Sequence, residues 1–348
     1  MLPNAINSEW NLMTTPSLIA KPALSVIICT HNPRRDYLDR TLESLRAQTL
    51  PRADWELVLV DNASKEPLAT SVDLSWHQHG RHARENTLGK VAACLCGTRE
   101  TTSDLLLFVD DDNALQADYL ATLVKLAAEN SHIACFGAGC LEPEFEQEPA
   151  PEYMSRIHYL ALRTVASPQW SNVPGDCIIP WGAGLAVRRA VAERVRDLVQ
   201  TCPIRKQMDR VGQHLLCGHD DEYSYVACDM GFGKGLFPAL RIKHLIAARR
   251  VTPEYLMNLA RGRYFSGVLM NYAHGEPLPE IPPDPTLRHA LGNLFRSSPG
   301  KTIRNLLNWY RYCRKSPVEQ AYDDAYRQAI ADALDHLRKN HGLKTPTP

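Results

Sequence analysis

The sequence predicts an α/β fold: a mostly parallel central sheet flanked by helices, with a helical C-terminal appendage. Three observations predict it. Short, largely apolar runs at Leu24–Cys29, Glu56–Val60 and Leu105–Val109 have the pattern of strands buried on both faces. Helix-period stretches separate them, and strands alternating with helices at this spacing imply right-handed crossovers in a parallel sheet. Each run ends in polar or acidic residues, Thr30-His31-Asn32, Asp61-Asn62 and Asp110-Asp111-Asp112. Open α/β sheets bind ligands at such carboxyl ends.

Residues 1–22 hold Pro3, Pro16 and Pro22 and little periodicity, an irregular lead-in. The β-branched run from Leu24 is expected to be a central strand. Asp36–Gln48 places Leu38, Leu42 and Leu45 at helical spacing. After the second strand a polar, strand-poor stretch reaches Gly89, and a helix is expected over Lys90–Arg99. The third strand is followed by a helix over Ala117–Glu129 and a strand over Ile133–Gly137. Glu142–Pro151, acidic and proline-rich, reads as a loop or insertion. Ile178–Val187 contains Trp181-Gly182-Ala183-Gly184, with a helix over Arg189–Val199 behind it. A helix over Asp220–Met230 and a final strand over Phe237–His244 complete the pattern. Glu276–Pro285 has linker composition. Residues 286–318 contain seven Lys or Arg and no acid, and Ile303, Leu306, Leu307 and Tyr310 form an apolar stripe among them. Pro317–Asn340 is acidic early and basic late, as a helix dipole favours. The expected division is a lead-in (1–22), a main domain (23–275), a linker (276–285) and a helical extension (286–348).

The formal net charge of zero argues against a nucleic-acid partner. No apolar run is long enough to span a bilayer, and the N-terminus shows no secretory signal, so a cytoplasmic location is expected. Ten cysteines without a CxxC pair read as buried free thiols of a reducing compartment. His77, His79 and His82 lack the thiol or carboxylate partners of a structural zinc site.

Three adjacent carboxylates repel one another unless a cation compensates them. A divalent metal bridging to phosphate is the simplest explanation of Asp110–Asp112. A second acidic group, Gly218-His219-Asp220-Asp221-Glu222, opens a helix far downstream.

In order and spacing these features resemble the family 2 glycosyltransferases of the GT-A fold, enzymes that use nucleotide-diphosphate sugars. The matching text runs from LSVIICTHNPRRDYLDRTLESLRAQ through WELVLVDNAS, LGKVAACLCGTRE and LLLFVDDDNAL to WGAGLAVRR and GHDDEYSYVACDMGF. It covers roughly residues 22–250. The resemblance implies that Thr30, His31, Asn32 and Lys90 line the donor site and that Asp61 accepts from the nucleotide base, most simply uracil of a UDP-sugar. Asp110 and Asp112 fall on the DxD motif, Asp110 toward the ribose and Asp112 on Mg²⁺ or Mn²⁺, with Asp111 at the variable middle position. His244 falls where relatives place a metal- or diphosphate-proximal histidine, and Arg249 and Arg250 lie in a segment that closes over the donor. Asp220 takes the position of the catalytic base. His219 replaces the usual Glu before it, and Val226 stands where an Arg is often found. Trp181, Gly182 and Glu222 fall on the acceptor side.

The implied reaction is an inverting, metal-dependent transfer of a sugar to a hydroxyl of a glycan or lipid-linked acceptor. The basic segment 286–318, with Trp309, Tyr310 and Tyr312 among its cations, suits peripheral contact with an anionic membrane. Two rivals are weighed. A sugar-phosphate nucleotidyltransferase would need a glycine- and arginine-rich loop where Thr30-His31-Asn32-Pro33 stands. A non-catalytic nucleotide- or glycan-binding relative would have little need of Asp220.

Overall fold

A computed structural model describes residues 21–211, 214–216, 218–286 and 299–343. Most of the predicted lead-in and the first part of the basic segment lie outside the described residues.

The strands β1 (Leu24–Thr30), β2 (Trp55–Asn62) and β4 (Leu105–Val109) form where the apolar runs predict them. They pair in parallel with β1 in the middle, Ile28 opposite both Leu59 and Val109. Alternation then sends Val26 and Ile28 to one core and Ile27 to another, on the opposite face of the sheet. Helices α1 (Arg35–Arg46) and α3 (Tyr119–Glu129) cover the first face; α2 (Lys90–Arg99) covers the second. Leu38, Leu42 and Leu45 of α1 are buried, each worth roughly 1.5–3 kcal/mol of apolar burial.

Two stretches differ from the sequence reading. The polar stretch before Gly89 contains β3 (Gly80–Glu85), an edge strand parallel to β2. Its residues GRHARE carry no apolar alternation because none of its positions is fully buried. The acidic Glu142–Pro151 stretch is only partly a loop. β6 (Ile133–Phe145) runs through its first four residues, which pair in parallel with residues 243–246, while Arg241 and Arg40 pair with Glu142 and Glu144.

The sheet order is β3-β2-β1-β4-β9-β6-β12-β5. The short β5 (Asn113–Leu115) and long β12 (Gly233–Ile246) close one edge antiparallel to each other. Two small strands, β7 (Arg163–Thr164) and β8 (Gln169–Ser171), attach to β6 and β12, and β10 (Arg210–Val211) and β11 (His214–Leu215) form a separate antiparallel pair. β9 (Leu185–Arg188) is antiparallel to both of its neighbours, β4 and β6. It therefore delivers the loop before it to the same sheet end that carries Asp110–Asp112.

Helices α4 (Arg189–Thr201), α5 (Pro203–Gln207) and α6 (His219–Asp229) follow. α7 (Pro253–His274) is unanticipated; buried residues lie on several of its sides, so no single apolar stripe marks it. The basic helix α8 (Pro299–Cys313) leads to α9 (Pro317–His341), which opens on a Ser316/Glu319 capping box. Ile330, Ala333, Leu334 and Leu337 of α9 share a core with Val268 and Leu269 of α7. No helix among the described residues is long and apolar enough to cross a membrane.

Candidate active site

Two adjoining cavities lie at the carboxyl ends of β1 and β4. Thr30, His31, Lys90 and Asp110–Asp112 line the first. Lys90, Asp110, Trp181, Gly182, Asp220 and His244 line the second, and Arg250 borders both. Metal, donor and base candidates drawn from residues 30 to 250 thus meet in one place.

Each aspartate of the β4 triplet has its own partner. Lys90 Nζ donates to Asp110 Oδ1 at 2.7 Å. Lys90 is aimed by the start of α2, where Gly89 N–H donates to Asn62 Oδ1 and Val91 N–H to Asp209 Oδ1. Gly89 has φ +147°, and a Cβ there would lie 2.1 Å from Asp209 Oδ2, so only glycine fits. Thr30 donates its hydroxyl to Asp111. Burial, and then the charge of Asp112, push the Asp111 carboxyl up to about 7. Arg250 Nη1 donates to Asp112 Oδ2 at 2.6 Å, and His244 Nε2 lies 3.5 Å from the same oxygen. Burial works to raise Asp112, but the His244 ring and Arg250 outweigh it and hold the carboxyl well below the usual range.

The residues present fit a divalent ion as a half-site. Ligands at about 2.1 Å in octahedral geometry are roughly 3 Å apart, close to the Asp112–His244 separation. His244 Nδ1 and Arg250 Nε are buried with no hydrogen-bond partner among the described residues. Among the described residues no group of three or more His, Cys, Asp or Glu is placed to hold a metal by itself. Diphosphate and water would have to supply the remaining ligands, as is usual for Mg²⁺, and Arg250 would have to leave Asp112.

On the other wall, Gly182 N–H donates to Asp220 Oδ2 at 2.9 Å. A Cβ on Gly182 would sit 3.2 Å from Lys90 Nζ and 3.4 Å from Asp220 Oδ2. Asp220 opens α6, where a carboxylate is favoured by the helix dipole. Asp221 is raised to about 6 by burial and by Asp220. His219, at the position where the family has Glu, has Nε2 3.2 Å from the Tyr223 hydroxyl. Burial would lower its pKa, but contact with the Cys94 thiol raises it. Cys94 is in turn pulled down to about 6, chiefly by its contact with Cys29, which is raised.

Three predicted site residues face neither cavity. Glu222 is 1% exposed and accepts from Arg205 Nε at 2.6 Å, with His274 Nε2 at 3.0 Å. It ties α6 to α5 and α7 and has no face toward an acceptor, which corrects its acceptor-side assignment. Asp61 is buried; Oδ1 accepts from Ser64 N–H, and Oδ2 from Leu68 N–H and from Arg84 Nη1 at 2.5 Å. A base would meet the Asp61–Arg84 pair rather than a free carboxylate. Asn32, at φ +48°, joins the loops after β1 and β2, accepting from Lys65 N–H while its own N–H donates to Ser64 Oγ. His31 lines the first cavity with Nδ1 2.7 Å from the Asn62 carbonyl.

The cysteine expectation holds for Cys94, Cys96, Cys135 and Cys140, which are buried, but Cys177 and Cys313 are exposed. His77 is buried against Trp55, ring centroids 4.1 Å apart. Trp181 carries the Arg163 guanidinium 3.2 Å from its ring centroid, so a cation takes one stacking face. Nothing in sequence spacing pointed to Arg163 or Arg263 as neighbours of the site.

The profile of glycosyl transferase family 2 matches residues 25–195. Polypeptide N-acetylgalactosaminyltransferase 8 of Drosophila melanogaster is 30% identical over 114 residues, 32% of this chain and 19% of that protein. Human polypeptide N-acetylgalactosaminyltransferase 15 is 26% identical over 183 residues, 45% of this chain and 28% of that protein. The matches thus span between a fifth and a third of these relatives' length. A mannosyltransferase from Pyrobaculum calidifontis, solved with GDP-Man and Mn²⁺, shares 18% identity at a TM-score of 0.48, covering 97% of this chain and 80% of that one. The matched segment, just under half of the chain, is of glycosyl transferase family 2; it holds β1, β2 and β4, with the Asp110–Asp112 triplet at the end of β4.

Proposed function

We propose that the protein is a metal-dependent inverting glycosyltransferase, moving a sugar from a nucleotide-diphosphate sugar, UDP-linked in the simplest reading, to a hydroxyl of a glycan or lipid-linked acceptor. The observation that carries this reading is that Asp110, Lys90, His244 and Asp220 line one cavity. Base candidate and phosphate-facing groups then border a single space in which a reacting centre could sit.

Asp220 accepts the acceptor hydroxyl's proton as that oxygen bonds to the anomeric carbon. The bond from that carbon to the diphosphate oxygen breaks on the far face, inverting the centre. A hydroxyl is too weak an acid to attack unaided, so a carboxylate in hydrogen-bond reach is needed. The Gly182 N–H holds Oδ2 of Asp220 and so orients the carboxylate. Lys90 and Arg250 are the cations nearest the leaving phosphates, Arg250 exchanging Asp112 for phosphate oxygens. Asp112 and His244 are the residues that would hold Mg²⁺ or Mn²⁺. When bound, that ion neutralises charge building on the diphosphate.

Thermal stabilisation by UDP that requires Mn²⁺, and that disappears in Asp112→Ala, is the expected result. Stabilisation by no nucleoside diphosphate, with or without metal, would overturn the reading.

The same proposal includes contact with an anionic membrane through α8. Ile303, Leu307 and Tyr310 are 59%, 49% and 52% exposed, beside exposed Arg304, Arg311 and Arg314. Because α9 shares a core with α7, deleting the tail is a poor test. Ile303→Glu with Leu307→Glu should abolish binding to vesicles containing phosphatidylserine; unchanged binding would remove the membrane from the proposal.

A further inference from the structure

Two cations at the Trp181 side of the cavity, one lining it and one behind the indole, are left unused by the reaction above. Arg163, on β7, donates from Nη1 to the Ile179 carbonyl at 2.7 Å and lies over the Trp181 ring. Its Nε and Nη2 are buried with no hydrogen-bond partner among the described residues. Arg263, an exposed residue of α7, lines the same cavity and makes no hydrogen bond or ion pair among the described residues.

Leaving buried donors of a charged group unmet is unfavourable, because their lost hydration is not replaced. The local acids do not meet them. Asp220 Oδ2 is taken by Gly182 N–H, and Asp221, raised to about 6, is only partly charged around that pH. Lys234, the other cation facing Asp221, is already paired with Asp176 at 2.7 Å. Arg163 and Arg263 also repel each other, and burial and that repulsion together bring the Arg163 guanidinium down to about 9. An oxyanion would relieve both problems, since the planar guanidinium fork matches carboxylate and phosphate oxygens.

The location decides which substrate brings that oxyanion. Arg163 is stacked on Trp181, next in sequence to the glycine that orients Asp220. Lys90 and Arg250, paired with Asp110 and Asp112, are the cations that the reading above assigns to the donor's phosphates. We propose that Arg163 and Arg263 form an oxyanion subsite on the acceptor side, and that the acceptor class is one bearing a phosphate or carboxylate near the glycosylated hydroxyl. The role given to the subsite rests on the transferase reading above. Trp181 covers the Arg163 fork, so Arg263 makes the first contact and the indole shifts as the anion seats.

The test titrates the full chain, saturated with UDP and Mg²⁺, with inorganic phosphate and separately with acetate, by calorimetry and tryptophan fluorescence. Binding of at least one anion is expected, weakened about tenfold or more in Arg263→Gln and partly retained in Arg263→Lys, with UDP affinity unchanged. Arg163→Lys, which keeps charge but loses the fork, should weaken binding and remove the fluorescence change. The stronger of the two anions tells a phosphorylated acceptor from a carboxylated one. No binding of either anion, or equal binding by wild type and Arg263→Gln, would overturn the subsite. Failure of the wild type to bind UDP would instead strike the transferase reading, and the same titration without nucleotide would still decide the subsite.

Discussion

Two acidic triplets, Asp110–Asp112 behind β4 and Asp220–Glu222 at the start of α6, differ in how their charge is met. In the first, every carboxylate has a partner at the cavity wall: Lys90 on Asp110, Thr30 on Asp111, Arg250 and His244 on Asp112. In the second, the three residues diverge. Asp220 faces the cavity with one oxygen held by a backbone N–H, Asp221 is left with a raised pKa, and Glu222 turns inward to Arg205 and His274. A helix start rotates successive side chains by about 100°, so neighbours in sequence meet different surroundings. A strand end followed by a tight turn keeps them together. On the proposed function, the difference separates a site prepared for exchange with a ligand's charges from one in which a single residue does chemistry and its neighbours hold the frame.

The largest expected effect breaks the second triplet at its reactive member. Asp220→Asn should lower turnover by about 10³-fold, the range of general-base catalysis, while UDP affinity holds; steady-state rates and nucleotide titration check both halves. Asp112→Ala addresses the first triplet: the Mn²⁺ dependence of UDP-induced stabilisation should vanish, seen by thermal shift with and without metal. Glu222→Ala should cost about 3 kcal/mol in denaturant unfolding because it strands the largely buried Arg205, with nucleotide affinity unchanged.

The smallest effect has the opposite sign. Asp221 is raised from 3.8 to about 6. Its folded form holds the proton more tightly than the unfolded chain, so its penalty is absent below pH 3.8, grows between pH 4 and 6 and is complete above that. Discounted for its partial exposure, the penalty is about 2 kcal/mol. Asp221→Asn should therefore stabilise the protein at pH 7.5 and not at pH 4; equal melting shifts at both pH values would show that Asp221 does not carry that penalty.

How much of this was legible depends on where each residue's partner lies. β1, β2 and β4 could be read because burial on both faces makes their runs continuously apolar. β3 could not, since an edge strand needs no apolar code, and the acidic end of β6 pairs with residues 243–246 and with arginines, all distant in sequence. Asp110, Asp112 and Asp220 could be placed from strand ends and motif order. The inward turn of Glu222 could not, because Arg205 and His274 lie 17 and 52 residues away in sequence. Asp61 was legible as a strand-end acid, but its capture by Arg84 comes from the register of β2 against β3, Asp61 opposite Arg84.

The antiparallel insertion of β9 has a consequence for how the chain comes to be folded. β4 and β6 are made first in sequence but never touch as neighbours; β9 fills the slot between them. Until residues 185–188 arrive, a growing chain presents two unsatisfied strand edges flanking a gap, the kind of surface that pairs with other chains. Synthesis past Arg188 is the earliest point at which that hazard can close, and the loop that orients Asp220 is seated by the same event. A ribosome-stalled chain ending before residue 185 should therefore be markedly more prone to aggregate than one ending just after α4.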